Sequence, residues 1–261
     1  MTIELLKQLQ PALFLASLGT FLVLEQLAPI ATSNGSDRLP HDARNLALTG
    51  LFIFFNAVFT LLTAGTSSWV ERRGIGLIPL LPGATWVHVV IGMGALDFTG
   101  YFMHRVKHRS PWLWRIHRMH HTEHSLNVTS SLRFHPPEVA VSWVFITAAA
   151  ITFGIPPASI VIHYTLLMFS SHLAHSNFRL PEPLDRILRA AFVTPGTHRI
   201  HHSNLRRETD SNYGDFLTVW DRLLGTYQPP RPPLSIQYGL EEFRDSRHHT
   251  LRSLLATPFL P

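Results

Sequence analysis

One pentapeptide pattern occurs twice in this chain, as His117-Arg118-Met119-His120-His121 and again as His198-Arg199-Ile200-His201-His202. On a helix, residues three and four apart share one face. The pattern His-Arg-apolar-His-His therefore aims its imidazoles at a single spot. A third group, His104 and His108, stands at a spacing of four shortly before the first. Eight histidines in three such groups are too ordered for a solvated surface, and imidazole is the commonest side-chain ligand of transition metals. Any fold for this chain has to bring three helical pieces together around a polynuclear metal site.

The chain has no cysteine. Disulfides, thiolate-bound zinc, iron–sulfur clusters and thiol catalysis are thereby excluded, and a metal must be held by histidine, carboxylate or water. Of the 261 residues 46% are hydrophobic and only 15% charged, a balance that belongs to the membrane class. Apolar runs cover 11–30, 46–62, 84–103, 139–155 and 158–171. The first, at 1.5 Å per helical residue, matches a hydrocarbon core of about 30 Å. Glu25 is its one charge and is expected at the interface. Residues 37–45, with Pro40, read as a polar turn, and Gly65-Thr66-Ser67-Ser68 as the end of the second run. A Gly/Pro-rich connection over 74–83 precedes the third run, which leads directly into His104. Pro156-Pro157 joins the last two as a tight hairpin whose ends both return to the histidine side.

The fold expected is all-α: a multi-pass membrane bundle of four or five membrane helices, with a helical cap carrying a His-rich dimetal site. Residues 1–103 form its N-terminal transmembrane region. Residues 104–227 form the catalytic region, including a membrane hairpin at about 139–171. From Arg179 onward the chain is polar and basic, with helices expected over 183–192 and 215–224. Residues 228–261 are a Pro-rich tail expected to be extended. Met1-Thr2-Ile3-Glu4 lacks the basic start of a signal peptide, so the first apolar run is expected to stay in the mature protein. The net charge is +5. Beside apolar spans this reads as cytoplasmic-loop charge rather than nucleic-acid binding. Five Lys and Arg residues between 105 and 118 place the metal site on the cytoplasmic face, although Arg72-Arg73 then falls on the opposite side.

Several single residues qualify as outer members of the site. Asp97, Tyr101, His104 and His108 form one helical stripe, and Asp97 is an ionisable group inside an apolar run. It is a candidate carboxylate partner for a ligating imidazole, or else an anchor for Arg105. In Arg133-Phe134-His135-Pro136-Pro137-Glu138, His135 is a candidate ligand or outer partner. The hairpin closes on His172-Leu173-Ala174-His175-Ser176-Asn177. There His175 re-enters the site, His172 faces metals or core, and Asn177 is a further candidate. Thr197, after Pro195-Gly196, suits a helix N-cap. His41, His88 and His163 read as lone, non-ligating histidines, and His248 and His249 as a solvated pair.

In order, H-x3-H, H-x2-H-H, an isolated His-Ser-Asn and a second H-x2-H-H resemble the fatty acid hydroxylase superfamily, also called the sterol desaturase family. Arg133 to Glu138 resembles its Arg-x-His-Pro-x-Glu segment. Asn212-Tyr213-Gly214 and Trp220-Asp221-Arg222-Leu223-Leu224-Gly225-Thr226-Tyr227 resemble its C-terminal signature. Some members carry H-x3-H where this chain has His172-x2-His175, which leaves the number of ligands open there. The resemblance implies two irons, O2 as oxidant and a lipid substrate in the bilayer. The metal ligands are then His104, His108, His117, His120, His121, His175, His198, His201 and His202. No Gly-rich dinucleotide fingerprint or haem-attachment motif is present, so a separate electron-transfer protein is implied, docking on the basic face. Hydroxylation is the family's expectation, and the residues themselves do not separate it from desaturation. A metal transporter would place its ligands near the bilayer midplane, whereas these lie beyond helix ends beside Arg and Lys. A zinc hydrolase lacks its H-E-x-x-H motif here, and a structural zinc staple is the remaining alternative.

Overall fold

A computed structural model describes residues 2–31 and 35–260. The chain runs through α1 (Ile3–Leu27), α2 (Gly35–Arg73), α3 (Thr85–Arg109), α4 (Pro111–His121), α5 (Pro136–Phe153) and α6 (Pro157–His175). Shorter helices follow: α7 (Glu182–Leu188), α8 (Pro195–His201), α9 (Arg206–Thr209), α10 (Val219–Leu223) and α11 (Leu251–Ala256). Among the described residues there is no strand, only three isolated bridges. Proline begins α4, α5, α6 and α8, where its missing N–H has no helical partner to lose.

Five long helices, α1, α2, α3, α5 and α6, pack side by side, with α2 against α5, α6 against α1, and α3 against both α5 and α6. Their shared apolar core includes Leu96, Ile146, Ile155 and Ile160. Among the described residues three stretches are long and apolar enough to cross a membrane: α1, Arg38–Leu80 and α5. α3 and α6 lie among them but bury polar side chains, including Asp97, Thr99, Ser159, His163 and Ser170, which lowers their hydropathy. The chain reverses at Pro156-Pro157 as expected, so that α5 and α6 both lead back to the histidine side, but the two helices do not pack on each other; each packs on α3. α5 ends at Gly154 (φ 70°), and Gly76 (φ 107°) lies against it so closely that a Cβ on Gly76 would meet Gly154 N at 2.2 Å.

Two local expectations are corrected. The polar turn at 37–45 is helical, part of α2. Pro40 stands in its opening turns, Arg38 pairs with Asp42 four residues on, and His41, Asn45 and Asp42 bond inward to Glu123 and Asn127. Nor does α2 stop at Gly65. Thr63 and Thr66 donate to carbonyls one turn back, and Ser67 donates to Ile155 O at 2.5 Å, so the polar residues are satisfied inside the helix. Glu25, the one charge of the first apolar run, is 1% exposed. It accepts from the N–H groups of Val128 and Asn177 at 2.7 Å and pairs with Arg38.

Beyond residue 175 the two expected helices are shorter, α7 and α10. The tail, expected to be extended, folds into 3-10 turns and α11. Leu254 is buried against Leu48 of α2 and Met119 of α4. Arg115 and Arg118 donate to carbonyls of Thr257, Pro258 and Leu260. The tail therefore clamps the outer side of α4 and covers the helix that carries the first H-x2-H-H.

Candidate metal centre

α3, α4, α6 and α8 meet at one end of the bundle and bring nine histidines into two buried groups, the groups found among the described residues. The first holds His104, His108, His117, His121 and His201; the second holds His120, His175, His198 and His202. Within each group the ligand atoms lie within 4.8 Å of one another. Two nitrogens on opposite sides of one ion, each at about 2.1 Å, would stand about 4.2 Å apart. The groups adjoin, and the rings of His121 and His202 stack at 4.7 Å.

Helical spacing explains the sorting. Each H-x2-H-H splits in two: its outer histidines, four apart, join one group, and its middle histidine joins the other. In α4 the outer pair His117/His121 serves the first group and His120 the second. In the repeat, starting in α8, His198/His202 serve the second group and His201 the first. His104 and His108 add another i, i+4 pair, and His175 completes the second group.

Hydrogen bonds at the far side of the rings fix which nitrogen faces inward. Nδ1 of His104 donates to Tyr213 O at 2.9 Å, and Nδ1 of His201 to Ser211 O at 2.8 Å. Nδ1 of His175 donates to Ser171 O at 2.9 Å. A carbonyl only accepts, so these Nδ1 atoms carry the proton and Nε2 presents its lone pair. Nδ1 of His117 lies 2.7 Å from Glu138, and that of His108 3.3 Å from Asp210. Glu138 also accepts from the buried Lys107 at 2.8 Å. The inward Nε2 atoms of His104, His108 and His201 are buried with no hydrogen-bond partner. Those of His120, His175, His198 and His202 crowd at 3.0–3.1 Å. Buried lone pairs facing one another without donors are what a cation satisfies, so the donor set fits two metal ions.

Burial first, and neighbouring imidazoles second, push His120, His121, His198, His201 and His202 well below the ordinary histidine range. Burial also takes His117 to about 4, against the opposing pull of Glu138. These rings are neutral at pH 7, the form that ligates.

The other candidates lie elsewhere. His135 contacts Leu255 O through Nε2 at 2.9 Å, and His172 contacts Ser17 through Nδ1 at 2.9 Å; neither joins a group. Asn177 pairs with the backbone of Ala31. Asp97 touches no cluster histidine and does not pair with Arg105. It accepts from Trp220 Nε1 at 2.8 Å and faces His163 Nε2 at 3.4 Å. Thr194, not Thr197, caps α8, with the Thr197 hydroxyl accepting from Thr194 N–H. The arginines of the two pentapeptides are buried: Arg118 under the tail, and Arg199 donating to Ser176 O and Tyr238. Sequence reading missed Lys107, Glu138 and Asp210 as supports of the imidazoles. For Glu138 there was a signal, a carboxylate opening an apolar helix.

The sequence profile of the fatty acid hydroxylase family matches residues 89–226, the stretch that carries all nine histidines. Over 153 residues the chain is 34% identical to an ornithine lipid hydroxylase, OlsE, of Rhizobium tropici, covering 58% of this chain and 45% of that protein. It is 30% identical over 189 residues to alkylglycerol monooxygenase of Homo sapiens, covering 72% and 39%. It is 26% identical over 192 residues to a very-long-chain aldehyde decarbonylase, GL1-6, of Oryza sativa subsp. indica, covering 69% and 27%. The chain thus spans less than half the length of these relatives, and no solved structure matches it. The profile match over more than half of the chain, including both histidine groups, makes the chain a member of the fatty acid hydroxylase family.

Proposed function

We propose that the chain is a membrane-bound di-iron hydroxylase of a lipid. The observation that carries this reading is the pair of adjoining all-imidazole groups with lone pairs turned inward. Imidazole suits iron, and groups of five and four imidazoles would each leave a position open for oxygen on a six-coordinate ion. Bound there, the metal pair would activate O2, placing one oxygen atom in an unactivated C–H bond while the other leaves as water, with two electrons from an external donor and two protons. The chain's own residues do the rest. Carbonyls of Ser171, Ser211 and Tyr213 hold the tautomers, and Glu138 and Asp210 orient His117 and His108. Phe134 stacks on His120 at 4.8 Å with Phe52 behind it, an apolar wall suited to an acyl chain. Burial of the whole set keeps bulk water out.

The metal end of the bundle is read as cytoplasmic on the positive-inside rule, since five Lys and Arg residues of 105–118 and those of the C-terminal third gather there, against the one pair Arg72-Arg73 at the opposite end of α2. The exposed Arg207, Arg247 and Arg252 remain as a docking surface for an acidic electron donor. The test is to purify the full chain in mild detergent, load it with ferrous iron, reduce it and measure metal content and O2 uptake. Two irons per chain with O2 consumption on reduction, and a hydroxylated lipid in expressing cells, are the expected result. Failure of iron-reconstituted protein to react with O2 would overturn the reading.

A further inference from the structure

The segment after α6 does not sit only above the bundle; part of it lies alongside. α2 provides a ruler. Asn45 bonds Glu123 at the metal end, and Ser67 bonds Ile155 at the hairpin end. The 22 residues between them rise about 33 Å, close to one bilayer. Against this ruler Trp220 is low, for its Nε1 donates to Asp97 at 2.8 Å and its ring meets Phe98 at 5.1 Å. Asp97 is seven residues before His104, about 10 Å down α3. Phe216 reaches the same level, for its ring lies 6.4 Å from that of His163, whose Nε2 faces the same Asp97 at 3.4 Å.

Two limbs of chain make this descent together. Phe192 bridges Leu217 and packs its ring 5.3 Å from Phe216, Val193 N donates to Phe216 O, and Thr218 N donates to Ala191 O. On these limbs Phe192, Leu223 and Leu224 are exposed, Leu223 to 71%. The flank they adjoin is apolar too, with Phe102 of α3 and Tyr164, Leu166 and Phe169 of α6 exposed. The charges between them are taken up locally. Arg189 pairs with Glu182 and Asp185, Arg222 lies over the Tyr227 ring at 3.9 Å and donates to Arg189 O, and Asp221 accepts from the N–H groups of Tyr213 and Gly214.

We propose that residues 187–193 and 215–224 form a wedge inserted into the membrane leaflet on the metal side, with Phe192, Leu223 and Leu224 against lipid acyl chains. A partner protein reaching these side chains would itself have to enter the bilayer, whereas acyl chains are already at that depth and interfacial elements bury apolar faces by about 5–10 Å. The wedge is continuous with the metal centre. The first limb runs into Thr194, which caps the helix of His198 and His201, and the second begins beside Tyr213, whose carbonyl holds His104. It therefore ties the height of the metals to the surface of the leaflet.

The chain lacks cysteine, so single labels can be placed without background. Leu223→Cys and Leu224→Cys would each carry a bimane label on the full chain in phosphatidylcholine vesicles. Leu61→Cys, on the exposed apolar face of α2, is the lipid reference, and Arg247→Cys in the tail is the aqueous one. Quenching is read with nitroxide attached to lipid acyl chains and, separately, with iodide in the water. The expected result is acyl-nitroxide quenching at both leucine positions within about twofold of Leu61→Cys and several-fold above Arg247→Cys. Iodide quenching equal to that at Arg247→Cys would overturn the wedge. So would protection from both quenchers, which would mean that a second copy or another protein covers the site. Because the readout needs no turnover, its failure would leave the hydroxylase reading untouched, and failure of the hydroxylase would leave the wedge.

Discussion

The two imidazole groups are built from the same residue type yet are held very differently. In the five-histidine group, the outer nitrogens of His104, His108, His117 and His201 are engaged by a carbonyl or a carboxylate. In the four-histidine group only His175 has such a partner, and Nδ1 of His120, His198 and His202 has none among protein groups. An outer partner fixes ring orientation and raises ligand basicity. Glu138 and Asp210, each also paired with a cation, Lys107 and Arg206, brace the first group, and no carboxylate bonds the second. A rigid, braced site stands beside an adaptable one. The first is expected to keep its ion, and the second to exchange its ion and to reshape around oxygen.

The largest effect that would sharpen this contrast comes from His198→Ala with His202→Ala. Metal content is expected to fall from two ions to one per chain, and lipid hydroxylation by more than the roughly 100-fold that outer partners cost. Loss of both ions in elemental analysis would show the groups to be one cooperative site. Next, Glu138→Gln, made together with Lys107→Met so that no buried ammonium is stranded, is expected to weaken the five-histidine ion by about 10–100-fold. In a timed chelator challenge the slow ion should become fast while the other is unchanged; equal acceleration of both would break the comparison.

A smaller change tests the tail, which acts on α4 and so on both groups. Leu254→Ala is expected to cost about 2–5 kcal/mol of stability by opening a cavity against Leu48 and Met119, with both ions retained. Denaturant unfolding measures the first and metal analysis the second. The smallest effect concerns His124, a histidine outside the metal groups, half-buried, with its ring 4.4 Å from that of His249. Burial first, and the His249 charge next, push it down to about 4. Its folded value lies below the unfolded 6.5, so the stability it contributes is present above pH 6.5 and is lost as pH falls from 6.5 towards 4. His124→Asn should flatten that part of the melting-temperature profile without changing metal content.

Much of the centre was legible because helical spacing is a local property. Both H-x2-H-H pentapeptides and His104/His108 announce shared faces, and all eight reach the centre with His175. Which histidine goes to which group was not legible, because it depends on how α3, α4 and α8 cross. Nor were the carbonyls of Ser171, Ser211 and Tyr213, since any residue type can offer a carbonyl and only the fold aims it. Asp97 misled for a related reason. Its stripe with His104 is real, but the side chain two turns below the histidine groups meets Trp220, which lies 123 residues away in sequence.

The sequence by itself determined the membrane class, the absence of thiolate chemistry and the ligand type, because composition, hydropathy and i, i+4 spacing do not wait for tertiary contacts. The hairpin at Pro156-Pro157 belongs with these, since proline restricts its own φ and that of its neighbour. Only the tertiary structure decided that α2 continues through its polar ends, because those groups needed Glu123, Asn127 and the Ile155 carbonyl to be satisfied. The tail's grip on α4, the division of nine imidazoles into a braced and an unbraced group, and the depth of Trp220 and Phe216 were decided there as well. Each depends on distant backbone brought within hydrogen-bond or van der Waals reach, a property that no single segment carries.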